Sequence, residues 1–302
     1  MRPVILSFLG ILLSIAPAVA QTDEEVAAAA EAFESSLGYQ TGTITLPDGI
    51  ATINVPADFR FLGKEGSQRL LTDGWGNPAE MSEHVLGMLI PAETSPLSEE
   101  GWGIVITFDE SGYVNDQDAS SIDYEKLLAQ MKADTKTSNQ EREKLGFEPV
   151  TLVGWAEPPL YDASNHKLYW AKELQFGNAD VHTLNYCIRV LGRRGVLELN
   201  AVAAMDRLAI IHDNTDNVLA SIEFNQGHRY SDYVHGEDKV AQYGVAALVA
   251  GAAAAKMGFF KALLVAILAL KKLLVVGVVA LIAFARKLFA RRGKTPAPAR
   301  TA

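Results

Sequence analysis

The acidic residues of this chain stop at Asp238, and that boundary constrains what the polypeptide can fold into. All 36 aspartates and glutamates lie between Asp23 and Asp238, while residues 23–239 hold 16 of the 27 lysines and arginines, a net charge of −20. Ten further basic residues run from Lys256 to Arg300 with no acid among them. A body this negative repels nucleic acid and anionic membrane surfaces. The basic end is instead drawn to anionic lipid headgroups. The two parts are therefore expected to occupy different surroundings, one aqueous and one at a bilayer.

Both ends of the sequence fit that division. Arg2 precedes an apolar run, Val4 to Ile15, and Ala18-Val19-Ala20 puts small residues at −3 and −1 before Gln21. Charge, short apolar core and small-residue site together read as a secretory signal peptide over 1–20, cleaved after Ala20. Near the other end, apolar runs at Val245–Ala255, Phe259–Leu270 and Leu273–Ala285 are interrupted by Lys256, Lys261, Lys271 and Lys272. The region 241–285 reads as a membrane anchor. Its simplest span is 262–285, whose 24 residues would make about 36 Å of helix, enough to cross a hydrocarbon core of about 30 Å.

The Lys271-Lys272 pair near the middle of that span opposes insertion, at about 2.5–3.5 kcal/mol per central lysine. Two other arrangements stay open: a hairpin of 245–270 and 273–284, or amphipathic helices lying on the surface. For a single span, the basic tail 286–302 predicts a cytoplasmic C-terminus. That places the main domain, 21–240, in the periplasm and the anchor in a bacterial inner membrane.

Between the ends, local pattern predicts an α+β domain. A helix is expected over Asp23–Ser36 and a hairpin of 42–46 with 51–55 around Pro47-Asp48-Gly49. Phe59–Leu62 reads as a lead-in to a short helix at 64–73. Strands are expected at 85–90 and 102–108, a helix at 122–145, and four strands at 150–157, 167–176, 181–191 and 195–202. A last helix over 206–221 leads to Ile222-Glu223-Phe224. Sequential strands joined by short turns imply an antiparallel sheet flanked by helices rather than a parallel one. That order, with the Ser221-Ile222-Glu223-Phe224 exit, resembles the PsbP/Mog-like architecture. The single cysteine, Cys187, excludes an intramolecular disulfide, so the fold rests on its core.

Three segments carry a closer resemblance: Val153-Gly154-Trp155-Ala156-Glu157-Pro158-Pro159-Leu160-Tyr161-Asp162, Leu191-Gly192-Arg193-Arg194-Gly195-Val196-Leu197, and Phe224-Asn225-Gln226-Gly227-His228-Arg229-Tyr230-Ser231-Asp232-Tyr233. With the lead Asp238–Gly244 they resemble the bacterial "domain of unknown function 2167" family of membrane-anchored proteins. The resemblance implies an exported domain with a C-terminal anchor and brings no catalytic residues or cofactor with it.

No Gly-x-Ser-x-Gly, Walker loop, Gly-x-Gly-x-x-Gly or His-Glu-x-x-His occurs. The surface most suited to gripping a partner is Trp155, Glu157, Pro158, Pro159 and Tyr161, a rigid aromatic segment around a Pro-Pro turn. Arg193 and Arg194 at a turn tip are candidate anion contacts. His228, Asp232 and His235 form the densest grouping of metal-ligand types. Asp109, Glu110, Asp116, Asp118 and Asp123 read as an exposed acidic loop. The expected activity is non-enzymatic binding of an envelope protein or ligand by a domain held at the lipid bilayer. The alternatives are an envelope enzyme or metal-dependent hydrolase using the 228–238 region, and a structural membrane protein that self-associates through 246–255.

Overall fold

The computed structural model describes residues 23–98, 100–144 and 148–251. The expected signal peptide, the span 262–285, its two alternatives beyond residue 251, and the basic tail lie outside the described residues. Among the described residues no helix is long and apolar enough to cross a membrane.

The fold is α+β and its strand pairing is antiparallel, as the short connections require. Five elements open the chain: α1 (Asp23–Ser35), β1 (Tyr39–Gln40), β2 (Thr43–Thr45), β3 (Ala51–Asn54) and β4 (Phe59–Gly63). Then come α2 (Lys64–Arg69), β5 (Val85–Pro91), β6 (Ile104–Asp109) and α3 (Tyr124–Lys144). A meander of β7 (Val150–Asp162), β8 (Lys167–Phe176), β9 (Thr183–Leu191) and β10 (Val196–Ala204) follows. The described chain closes with α4 (Leu208–Ser221), β11 (Ile222–Phe224) and α5 (Val245–Ala250).

Eight strands form the main sheet in the order β1-β4-β5-β6-β10-β9-β8-β7, and β11-β3-β2 form a small second sheet. The predicted hairpin is thus real, but it pairs with β11 rather than with the main sheet. Its turn depends on positive φ at Asp48 and Gly49, which aspartate and glycine tolerate best.

Alternation along β9 sets the layers. Leu184, Tyr186, Ile188 and Val190 join the largest core, which α4 and the small sheet cover. Cys187 faces the other way, into a second core with Leu168, Trp170 and Val245. A third core forms on that same side around Leu62, Met88 and Ile90.

Phe59–Leu62 leads into α2 as expected and is itself most of β4, an internal strand between β1 and β5; Phe59 and Phe61 alternate into the large core. Two expectations need correction. Pro158 and Pro159 form no turn, because β7 runs through them to Asp162. They are tolerated because β7 is an edge strand with register shifts on both sides of Glu157, where no ladder donor is required. Finally, the fold does not end at residue 240. Val245, Leu248 and Val249 of α5 are buried in the second core, and α5 stops at Gly251 in the left-handed conformation. A six-residue helix is too short to persist alone. Burial of three apolar side chains, about 1.5–3 kcal/mol each, holds it in place.

Candidate functional site

Residues 225–251 return across the end of the main sheet, and most of the chain's distinctive polar chemistry gathers under this strap. The Gly192–Gly195 turn receives it. Arg193 donates from its backbone to His228 O at 2.9 Å and from Nε to Asp238 Oδ2 at 2.7 Å. Asp238 also accepts the backbone N–H of Val234 at 2.7 Å. The Arg193 contact comes first among the causes that hold the Asp238 carboxyl below its ordinary pKa. Arg193 is therefore spent on fastening the strap, whereas Arg194 is exposed. The turn demands glycine: a Cβ on Gly195 would meet Asp109 O at 2.0 Å, and one on Gly192 the Phe224 ring at 2.6 Å.

The metal-ligand types are not brought together. Asp232 accepts the backbone N–H groups of Gly227 at 2.7 Å and Arg229 at 3.0 Å, shaping its own turn. Among the described residues, no group of three His, Cys, Asp or Glu could hold a metal ion.

The acidic loop after β6 also works inward. Tyr243 Oη donates to Asp109 Oδ2 at 2.5 Å. Asp118 accepts the first backbone N–H groups of α5, and Asp123 accepts that of Lys126 at the start of α3 at 3.0 Å. Asp116 sits in the densest cluster of all. Tyr161 Oη donates to Asp116 Oδ2 at 2.5 Å, and His166 Nδ1 lies 3.2 Å from the same oxygen. Burial alone would raise the Asp116 pKa, but the Tyr161 hydrogen bond and the nearby His166 help outweigh it and hold the carboxyl below its usual range. Burial, with Asp116 adding to it, pushes the Tyr161 hydroxyl far up.

Over this cluster the rings of His166, Tyr230, Tyr113 and Tyr233 stack in succession, with centroid separations of 4.0, 4.4 and 3.9 Å. Tyr230 Oη donates to Val114 O at 2.9 Å. His166 itself adopts positive φ at the β7–β8 turn. The stack joins three distant stretches of chain, and its outer rings are only half-buried.

Along β7 the predicted partner segment divides. Trp155 packs into the second core, its Nε1 reaching Tyr124 O of α3 at 3.4 Å. Pro159 is buried and Tyr161 belongs to the Asp116 cluster. Pro158 and Leu160 remain exposed. Glu157 Oε2 lies 3.1 Å from His212 Nδ1 on α4, and that contact raises the His212 pKa. Beneath the pair, the buried Tyr186 borders a cavity of water-molecule size lined also by Asn214 and Thr215. Glu157 was visible in the sequence; His212 and Tyr186 were not, because their proximity depends on how α4 crosses β9. Likewise nothing local joins Asp116, His166 and Tyr230.

Residues 38–282 match the family described as protein of unknown function (DUF2167). No curated protein matches the chain. Among solved structures, the solution structure of cyanobacterial PsbP (CyanoP) from Synechocystis sp. PCC 6803 is similar at 12% identity, covering 63% of this chain and 94% of that one, with a TM-score of 0.34.

Proposed function

The chain belongs to the DUF2167 family, and on that premise we propose that it is an exported binding domain held rigidly against a bacterial inner membrane. The observation that carries this reading is the continuity between the fold and the apolar segment. The family match runs to residue 282, well into the apolar runs. The last described helix, α5, is locked into the second core, so the apolar segment would leave the domain from a fixed point. An exit point held by α5 suits capture of a partner close to the bilayer. The −20 domain keeps off anionic lipid, and the basic tail fixes orientation with the C-terminus inside.

On this reading the partner-facing surface is the exposed part of the β7 edge, Pro158 and Leu160, beside the Glu157–His212 pair. The proline-bearing, irregular edge blocks strand addition, so recognition there is by side chains. Fractionation of cells producing the full chain should find it in the inner membrane, beginning at Gln21, with the main domain digested by protease added to spheroplasts. Recovery from the cytosol with Met1 retained would remove the proposal. In-membrane photo-crosslinking from position 160 should capture a discrete partner, and crosslinking from position 194 should not.

A further inference from the structure

The side of the main sheet facing α3 and α5 carries a polar lattice that the strap and the β7 edge do not use. Register places Thr107, Glu198, Arg189 and Leu168 side by side across β6, β10, β9 and β8. In the next row stand Val105, Asn200, Cys187 and Trp170, and then Val202, Asn185 and Lys172. Residues directly opposite one another share a face, so all of these point to the same side.

Arg189 is 1% exposed, Trp170 1% and Asn185 4%. Arg189 Nη1 is satisfied by Ile188 O at 2.8 Å and Asn200 Oδ1 at 3.1 Å. Its Nε lies 3.2 Å from Glu198 Oε1 without hydrogen-bond alignment. Its guanidinium carbon lies 5.2 Å from the Trp170 ring centroid.

Three N–H groups on this face lack a hydrogen-bond partner: Trp170 Nε1, Asn185 Nδ2 and Arg189 Nε. All are donors. The orientation of the Asn185 amide is set by Cys187 Sγ, which lies 3.4 Å from Asn185 Oδ1. Each buried donor without an acceptor costs about 1–3 kcal/mol, so three in one patch call for a common explanation. Of the neighbouring acceptors, Asn200 Oδ1 takes Arg189 Nη1 and Glu198 Oε2 takes the Thr107 hydroxyl. Water placed here would need acceptors for its own hydrogens and would find few. Lys172 stands on the same side, where burial lowers its pKa.

We propose that this face holds a small monovalent anion, a halide or a small carboxylate, accepted by Trp170 Nε1, Asn185 Nδ2 and the Arg189 guanidinium. An anion accepts from several donors and needs none in return, which is what a donor-rich patch lacks.

Bromide is the probe, since a bromide ion against an indole quenches its emission. The full-length protein in detergent should show a saturable quenching component, absent in Trp170→Phe and requiring about tenfold more bromide in Asn185→Leu, the loss of one charge-assisted hydrogen bond. Chloride and acetate compete in separate arms: displacement by chloride assigns a halide, and displacement by acetate alone a carboxylate. Linear, collisional quenching that is the same in the native chain and Trp170→Phe would overturn the proposal. Should both variants fail to fold, the native chain decides alone: saturation with competition supports the site, and linear quenching sinks it.

Discussion

Asp118 holds the start of α5 from 127 residues away, its Oδ1 accepting the backbone N–H of Val245 at 3.1 Å and its Oδ2 that of Ala246 at 3.2 Å. A carboxylate at that position satisfies orphan donors and complements the helix dipole. Space for it is left by Gly244, where a Cβ would come within 2.6 Å of Asp118 Oδ2.

Asp118→Ala should therefore loosen the last helix. A cost of about 0.5–2 kcal/mol is expected, read as a lower urea midpoint and faster proteolysis between residues 240 and 251. Gly244→Ala should match or exceed it by displacing the same carboxylate. Unchanged cleavage in both variants would show that the apolar contacts of α5 suffice without the cap.

The Arg189–Glu198 pair, with Nε and Oε1 3.2 Å apart and side chains 1% and 8% exposed, lies in the sheet interior. Removing one partner strands a buried charge. Arg189→Met or Glu198→Leu alone should each cost about 3–5 kcal/mol, while the double substitution should recover most of that loss. Denaturant titrations of the three variants test this, and additive losses would contradict it.

Acid should weaken the strap through Asp116. Its folded-state pKa is depressed, so the stability it contributes is full above the unfolded carboxylate value of about 3.9. That contribution disappears as pH falls through the lower, folded value. Asp116→Asn should flatten stability against pH below about 4, as measured by thermal melts across that range. An identical acid slope in both proteins would place the effect elsewhere.

His212 titrates against Glu157. The hydrogen bond and then the charge of Glu157 raise its pKa, so the pair contributes stability below the unfolded histidine value of about 6.5 and loses it as pH rises through the raised folded value. The pair is largely exposed on the histidine side, at 59%, so solvent keeps the effect small. In an NMR titration, Glu157→Gln should move the His212 midpoint downward while leaving the other histidines in place.

Local chemistry determined a good deal of this molecule. Apolar patterning fixed β8 to the residue, Asp48-Gly49 marked the turn between β2 and β3, and the charge partition separated an acidic body from an apolar, basic end. These are properties of neighbouring residues, which period and turn chemistry report directly. Tertiary structure decided the rest. Two prolines that read as a bend became part of an edge strand, because only the sheet order shows that β7 lacks a partner on one side. Arg193, read as an anion contact, became the partner of Asp238. The Asp116, Tyr161, His166 and Tyr230 cluster draws on three segments, and the donors Trp170, Asn185 and Arg189 share a face only through strand register. Periodicity says which side of its own strand a residue takes. It carries no information on which distant strand lies opposite, and that pairing is what assembles a site.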